Sequence, residues 1–160
     1  MGEMKRLAKY ILLPVAVLIL SQCSGSEEEF SVDTVKALAH PQAVILYSLN
    51  PIKAQDTAQT FHGYVVLDQI RLNEKQTKAA VAAVNAAVPK DHALLAGDAP
   101  SCFRPRHGLK VAGAGHIYDF VICYECGWLE EYVDGNLTKA LTIQGTPKAL
   151  NELLALSNPF

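Results

Sequence analysis

The chain has no surplus of positive charge. Its 160 residues include 14 Lys and Arg against 16 Asp and Glu, a net charge of -2, and only 19% of the residues are charged. Proteins that bind nucleic acid use an excess of Lys and Arg to neutralise phosphates, so the composition predicts that this protein does not bind nucleic acid. Half of the residues are hydrophobic, which is enough for the buried core of one domain.

Three common catalytic motifs are also missing. The sequence has no glycine-rich phosphate loop, no His-Glu-x-x-His and no Gly-x-Ser-x-Gly, so no motif identifies a nucleotide-dependent enzyme, a zincin or a serine hydrolase. Adjacent carboxylates occur only at residues 27–29 and at Glu130 and Glu131, which have the pattern of a solvated surface. The sequence therefore leaves open whether the protein is an enzyme.

The longest apolar run lies near the N-terminus and is short. It covers residues 10–20 and follows a basic segment that contains Lys5, Arg6 and Lys9. A helix that spans a bilayer needs about 20 apolar residues. A run of 11 residues after a basic segment is instead typical of a signal peptide.

This run ends in the sequence LSQC at residues 20–23. It resembles the lipobox of bacterial lipoproteins, although Gln22 stands where Gly or Ala is usual. The resemblance implies that residues 1–22 are cleaved off and that Cys23 is acylated. It also implies a cell-envelope location, and Ser24 indicates the outer membrane, facing the periplasm. An ordinary secretory signal or an uncleaved anchor is the alternative.

The remaining chain divides into a tether and one domain. Residues 23–32 are rich in Ser, Gly and Glu, a composition that predicts a flexible linker. Residues 33–160 form the predicted domain, which the acyl chains on Cys23 would hold at the membrane. No protein or small-molecule partner can be named from the sequence.

The cysteines define the candidate site. If Cys23 carries lipid, Cys102, Cys123 and Cys126 remain, which is an odd number for disulfide pairing. His107 completes a Cys-x4-His-x15-Cys-x2-Cys pattern. Three Cys and one His are a common ligand set of structural zinc, so the pattern predicts a zinc site.

Two other uses of the cysteines remain open. The oxidising envelope favours a disulfide, with Cys102 bonded to Cys123 or Cys126. Cys123 and Cys126 are also spaced as a redox dithiol, but the residues that follow them allow at most two helical turns before a turn at residues 134–136. A thioredoxin-like pair instead lies at the start of a long helix.

Three further residues are weaker candidates for ligand binding. Arg104 and Arg106 flank the predicted site, and a guanidinium can hold a carboxylate or phosphate in forked geometry. The more ordinary interpretation is that they pair with glutamates of the following hairpin. His62, in the sequence Phe-His-Gly, is the third candidate.

The pattern of apolar runs and caps predicts an α+β domain. Strands are predicted at residues 43–49, 61–72, 108–112, 116–123, 128–133 and 141–143. Helices are predicted after the caps Asn73 and Thr146, and residues 32–40 are compatible with a short helix. The predicted fold is one mostly antiparallel sheet of four to six strands with two helices packed on one face.

The cysteine segments also resemble a known pattern. Residues 102–108 read CFRPRHG and residues 121–126 read VICYEC, with FHGY upstream at residues 61–64. Together they resemble a family of small uncharacterised, often exported bacterial proteins, over residues 43–130. The resemblance implies a shared site built from the four residues of the predicted zinc site, and no known activity.

These observations lead to two expected functions. The first is a membrane-anchored envelope lipoprotein whose Cys/His cluster binds structural zinc or forms a disulfide, so that the domain acts as a binding or structural module. The alternative is a thiol–disulfide redox protein that uses Cys123 and Cys126.

The anchor can be tested by replacing Cys23 with Ala. Because this change removes the acylated side chain, we expect the protein to leave the membrane fraction or to accumulate as the unprocessed precursor. Membrane fractionation and electrophoretic mobility measure both outcomes, and Cys102→Ala is the matched control. Unchanged membrane association and mobility of Cys23→Ala would contradict the lipoprotein assignment.

Overall fold

The computed structural model describes residues 30–55, 59–89 and 100–156. The predicted signal peptide and residues 23–29 of the predicted tether, with Cys23, lie outside these residues. In the part of the chain that is described, no helix is both long enough and apolar enough to cross a membrane.

The described residues form three helices and seven strands. The helices are α1 Val32–Ala39, α2 Glu74–Ala87 and α3 Lys148–Ala155. The strands are β1 Ala43–Lys53, β2 Thr60–Phe61, β3 Tyr64–Arg71, β4 His107–Gly113, β5 His116–Cys123, β6 Trp128–Val133 and β7 Asn136–Thr142.

The strands form one sheet that curls into a half-barrel, in the order β2-β3-β1-β4-β5-β6-β7. Every neighbouring pair is antiparallel. Two register shifts interrupt the pairing of β1 with β3, and irregularities of this kind bend and twist a strand pair. The bend brings the β2–β3 hairpin over one face of the sheet.

The prediction of four to six strands with two helices is wrong, and one reason is a missed turn. The segment 61–72, predicted to be one strand, reverses direction at His62 and Gly63, whose φ angles are 50° and 86°. Two consecutive residues with positive φ form the tight turn that matches the twist of a hairpin. Phe61 and Tyr64 therefore pair across the turn, and β2 becomes a strand of its own.

The other reason is that the short helix α1 forms and packs. Its N-cap is Ser31, whose side chain accepts a hydrogen bond from the N–H of Thr34. Thr34, Ala37 and Leu38 are buried, so one side of α1 belongs to the core. The domain consequently has three helices.

One face of the sheet carries all three helices. The longest, α2, begins with a capping box in which Asn73 and Gln76 each accept a hydrogen bond from the other's backbone N–H. The buried side chains of the helices and of this sheet face form one core: Ala37, Leu38, Val44, Leu46, Leu72, Ala80, Val84, Ala87, Val88, Leu109, Val111, Tyr118, Phe120, Ile122, Leu129, Leu141, Ile143, Leu150 and Leu153.

The other face carries a smaller cluster beneath the β2–β3 hairpin. Phe61 stacks on Tyr47 with ring centroids 4.6 Å apart. It also lies directly over Gly108, where a Cβ atom would come within 2.7 Å of the ring. This second cluster consists of Tyr47, Leu49, Phe61, Tyr64 and Val121, with Ile45, Val66, Phe103 and Tyr132 packed against it.

A carboxyl group is buried on the helix-covered face. Glu131 is only 1% exposed and accepts a hydrogen bond from the hydroxyl of Thr34, which links β6 to α1. The expectation of a solvated surface is wrong for Glu131, because its side chain points to the same face as Leu129 and Val133. Burial raises the pKa of Glu131.

Because the folded protein raises this pKa, Glu131 contributes most to stability at low pH. That contribution is complete below the pKa in the unfolded chain and is lost as pH rises through the folded pKa. We expect Glu131→Gln to keep the hydrogen bond with Thr34 and to remove this part of the pH dependence. Urea unfolding at several pH values measures it, with Glu152→Gln on the exposed side of α3 as control. Parallel curves for wild type and Glu131→Gln would contradict the assignment.

Candidate functional site

The cysteines meet at one end of the sheet, where residues 102–106 approach the turn between β5 and β6. Exposure alternates along this segment. Phe103 is half-buried and Pro105 is buried, whereas Cys102, Arg104 and Arg106 are exposed. This segment continues the sheet beyond the start of β4. The carbonyl oxygen of Arg106 accepts a hydrogen bond from the N–H of Leu49 in β1 at 2.9 Å.

Cys123 and Cys126 are joined by a disulfide bond across the β5–β6 turn. Their Cα atoms are 5.3 Å apart, within the usual range of disulfides. Cys123 is the last residue of β5, and Gly127 supplies a positive φ of 61° before β6 begins. Because only two residues separate the cysteines, their disulfide closes a tight turn.

Each sulfur accepts a backbone hydrogen bond. The N–H of Cys126 donates to Sγ of Cys123 at 3.2 Å, and the N–H of Arg104 donates to Sγ of Cys126 at 3.4 Å. The carbonyl oxygen of Cys102 lies 2.9 Å from Sγ of Cys126. The segment 102–106 is thus in direct contact with the disulfide. Hydrogen bonds to sulfur stabilise the thiolate that forms on reduction.

The two sulfurs differ in access. Cys123 is 2% exposed, whereas Cys126 is half-buried and lines an open cleft of about 430 Å³. The other residues around the cleft are Ser101, Cys102, Arg104 and Glu125. Cys126 is therefore the disulfide cysteine that lines the cleft.

Cys102 has a free and exposed thiol. Of the three cysteines predicted to act together, two are bonded and the third lies beside them. Cys102 lies near the other two cysteines because residues 102–106 lead directly into β4, which begins at His107.

His107 is buried and faces a helix. It is 4% exposed, and its Nε2 lies 2.8 Å from Oδ1 of Asn151 in α3. Burial lowers the pKa of His107, so the imidazole is held in its neutral form. The contact links β4 to α3.

The four predicted zinc ligands do not form one ligand set as they stand. Across residues 30–55, 59–89 and 100–156, no group of three or more His, Cys, Asp or Glu side chains is arranged to hold a metal ion. Zinc requires thiolates, whereas Cys123 and Cys126 share a disulfide. Zinc at Cys102, His107, Cys123 and Cys126 stays a prediction for the reduced protein.

The two arginines lie on the surface beside the turn. Nε of Arg106 is 3.3 Å from a carboxylate oxygen of Glu125, and both side chains are more than half exposed. An exposed pair of this kind contributes at most about 1 kcal/mol. Arg104 lines the cleft next to Cys126 and is the arginine that a ligand in the cleft would meet.

His62 lies in a different place, at the tip of the β2–β3 hairpin. Its Nε2 is 2.9 Å from Oδ2 of Asp119 in β5, and its ring stacks on Tyr132 in β6 with centroids 3.7 Å apart. Asp119 is 6% exposed, and its second oxygen lies 3.7 Å from Nζ of Lys110. The histidine thus fastens the hairpin to the sheet.

Asp119 was not among the predicted site residues. It lies in the sequence Tyr-Asp-Phe-Val-Ile-Cys, where a single carboxylate interrupts an apolar strand. That interruption is the signal for a buried and paired acid, because an unpaired buried carboxylate costs several kcal/mol. The sequence carries no sign that the partner is His62, which is 57 residues away.

A larger groove lies elsewhere on the surface. It measures about 660 Å³ and is lined by α1, α2 and the neighbouring ends of β1 and β3. None of the predicted site residues lines it. The cysteine site and this groove are therefore separate features of the described structure.

We expect His62→Ala to destabilise the protein by about 1–3 kcal/mol, because it leaves the buried carboxylate of Asp119 without its hydrogen-bond partner. Chemical denaturation measures the change. The Asp119→Asn background is the control. Because that change removes the buried charge, His62→Ala should destabilise the protein less there. Equal costs in the two backgrounds would contradict the pairing.

No protein-family model, no curated protein and no solved structure matches this chain.

Proposed function

We propose that the protein is anchored in the cell envelope by lipid on Cys23, faces the periplasm, and exchanges thiols and disulfides at the turn of Cys123 and Cys126. The anchor and the location rest on the sequence of residues 1–23. The chemistry rests on the geometry of the turn. The envelope is a compartment in which disulfides form and persist.

The observation that carries the proposal is the unequal access of the two sulfurs. Exchange begins when a thiolate attacks an accessible disulfide sulfur, and only Cys126 faces the open cleft. Cys123 then leaves as a thiolate, which the N–H of Cys126 stabilises from 3.2 Å. A better-stabilised leaving thiolate departs faster.

The substrate class is a dithiol on another exported protein. One substrate thiolate forms a mixed disulfide with Cys126 and releases Cys123. The second substrate thiolate attacks the mixed disulfide at the substrate's own sulfur, so that the substrate becomes a disulfide. Cys123 and Cys126 take up two electrons and two protons and end as thiols.

A purely structural role would use little of this arrangement. The disulfide closes a ring of four residues, from Cys123 to Cys126. Restricting so short a loop stabilises a folded chain by only about 2 kcal/mol. Access to one sulfur and hydrogen bonds to both add nothing to such a role. Exchange requires the access, and the hydrogen bonds favour it by stabilising the leaving thiolate.

The second candidate is the structural or binding module with zinc or a disulfide at this end of the sheet. The specific observation in its favour is His107, which burial keeps neutral, the form that binds metal. In the reduced protein Nδ1 would join the three thiolates as the fourth ligand, while Nε2 keeps its hydrogen bond to Asn151. The disulfide form of the module needs no metal.

The two candidates differ in what the reduced protein does. For exchange, we expect the full-length protein in detergent to titrate reversibly as one two-electron couple in glutathione buffers, and to oxidise a reduced two-cysteine peptide. Trp128, the only tryptophan, pairs directly with Cys123, so its fluorescence reports reduction. Cys126→Ser should abolish the couple, whereas Cys102→Ser should retain it.

Metal analysis of the reduced protein supplies the opposing result. Stoichiometric zinc together with three protected thiols would support the module and reject exchange as the main function. A zinc-free protein with a reversible dithiol supports exchange. A disulfide that titrates but never oxidises the peptide leaves the disulfide-linked module as the better candidate.

A further inference from the structure

Cys102 is placed beside the disulfide in a way that the exchange described above does not use. Its carbonyl oxygen lies 2.9 Å from Sγ of Cys126, and both residues line the same open cleft. Its own thiol is free and exposed. A free thiol next to an accessible disulfide has the components of an exchange reaction within one chain.

We propose that Cys102 is a third reactive cysteine that exchanges with the disulfide. Its thiolate attacks Sγ of Cys126, a bond forms between these two sulfurs, and the bond between Cys126 and Cys123 breaks. Cys123 leaves as a thiolate and takes up the proton that Cys102 gave to the solvent. One disulfide exists before and after, so no oxidant or reductant is consumed.

The geometry favours Cys126 over Cys123 as the sulfur attacked. Cys123 is 2% exposed and ends a central strand, whereas Cys126 contacts the backbone of Cys102 directly. Rotation about χ1 moves the thiol of Cys102 between staggered positions on that backbone. The N–H of Cys126 donates to the leaving sulfur of Cys123, which favours its release.

This inference rests on the proposed function and extends it to a second class of substrate. A substrate with a single thiol forms a mixed disulfide with Cys126 and has no second thiol to complete the reaction. Attack by Cys102 on Cys126 releases that substrate as a thiol and leaves the disulfide between Cys102 and Cys126. The third cysteine thus gives a second route for releasing a monothiol, beside the return of Cys123 to Cys126.

Tryptic peptides distinguish the two disulfide isomers. Trypsin cleaves after Lys and Arg but not before Pro, so Cys102 falls in peptide 91–106, and Cys123 and Cys126 both fall in peptide 111–139. The oxidised full-length protein is incubated in detergent, quenched with acid, alkylated while denatured and digested without reductant. We expect the two peptides to appear cross-linked, with Cys123 alkylated, in an amount that rises with incubation time.

Two variants sharpen the test. In an oxidising glutathione buffer, Cys123→Ser should convert almost completely to the cross-linked pair, because Cys102 and Cys126 then have no competing partner. Cys126→Ser is the matched control and should give no cross-link, since Cys123 is buried. Thermal melting verifies that each variant is folded. Absence of the cross-linked pair from either wild type or folded Cys123→Ser overturns the proposal.

The outcomes separate this inference from the proposed function. Internal exchange without oxidation of the two-cysteine peptide would retain the role of Cys102 and reject the exchange function. Peptide oxidation without the cross-linked pair would do the reverse.

Discussion

The contact of Phe61 with the bare backbone of Gly108 is the constraint on which the shape of the sheet depends. A side chain at Gly108 would meet the ring at 2.7 Å, a distance that real Cβ contacts do not reach, so only glycine lets the hairpin lie this close. The same cluster includes Phe103, whose ring lies 6.2 Å from that of Tyr64. The packing that curls the sheet therefore also holds the segment that begins at Cys102 in place. The cysteine site is a consequence of how the opposite edge of the sheet folds over.

Two buried carboxyl groups keep the central strands in register. Asp119 in β5 and Glu131 in β6 lie on opposite faces, and their partners come from distant parts of the chain, His62 on the hairpin and Thr34 in α1. Shifting a strand by one residue moves its side chains to the other face. Such a shift would bury one of these acids without its partner, at a cost of several kcal/mol. The hydrophobic pattern alone would allow more than one strand register, because both faces of β5 are apolar. The two polar pairs favour the register that is observed.

Features encoded locally could be predicted from the sequence, whereas contacts between distant segments could not. The capping box of Asn73 and Gln76 and the apolar run of β5 are local patterns, and the structure has both elements. The turn at His62 was missed because positive φ is uncommon for residues other than glycine, and His-Gly is not one of the usual hairpin turn pairs. The adjacency of Cys123 and Cys126 follows from their spacing. The pairing of His107 with Asn151, 44 residues apart, depends on how α3 packs, which no local pattern contains.

The zinc and the exchange interpretations use the same sulfurs, and the redox state of the cysteines decides between them. His107 is compatible with a metal site, because only its Nε2 is hydrogen-bonded to Asn151 and Nδ1 remains as a ligand atom, an arrangement that is usual for histidines that bind metal. A disulfide prevents metal binding, because two of the three thiolates are then missing. Oxidation of Cys123 and Cys126 and capture of zinc by three reduced thiols exclude each other. If the protein is exported to the envelope, as proposed, the oxidising compartment favours the disulfide. The two-residue spacing favours it further, since both sulfurs lie in one turn and need no ordering of the rest of the chain.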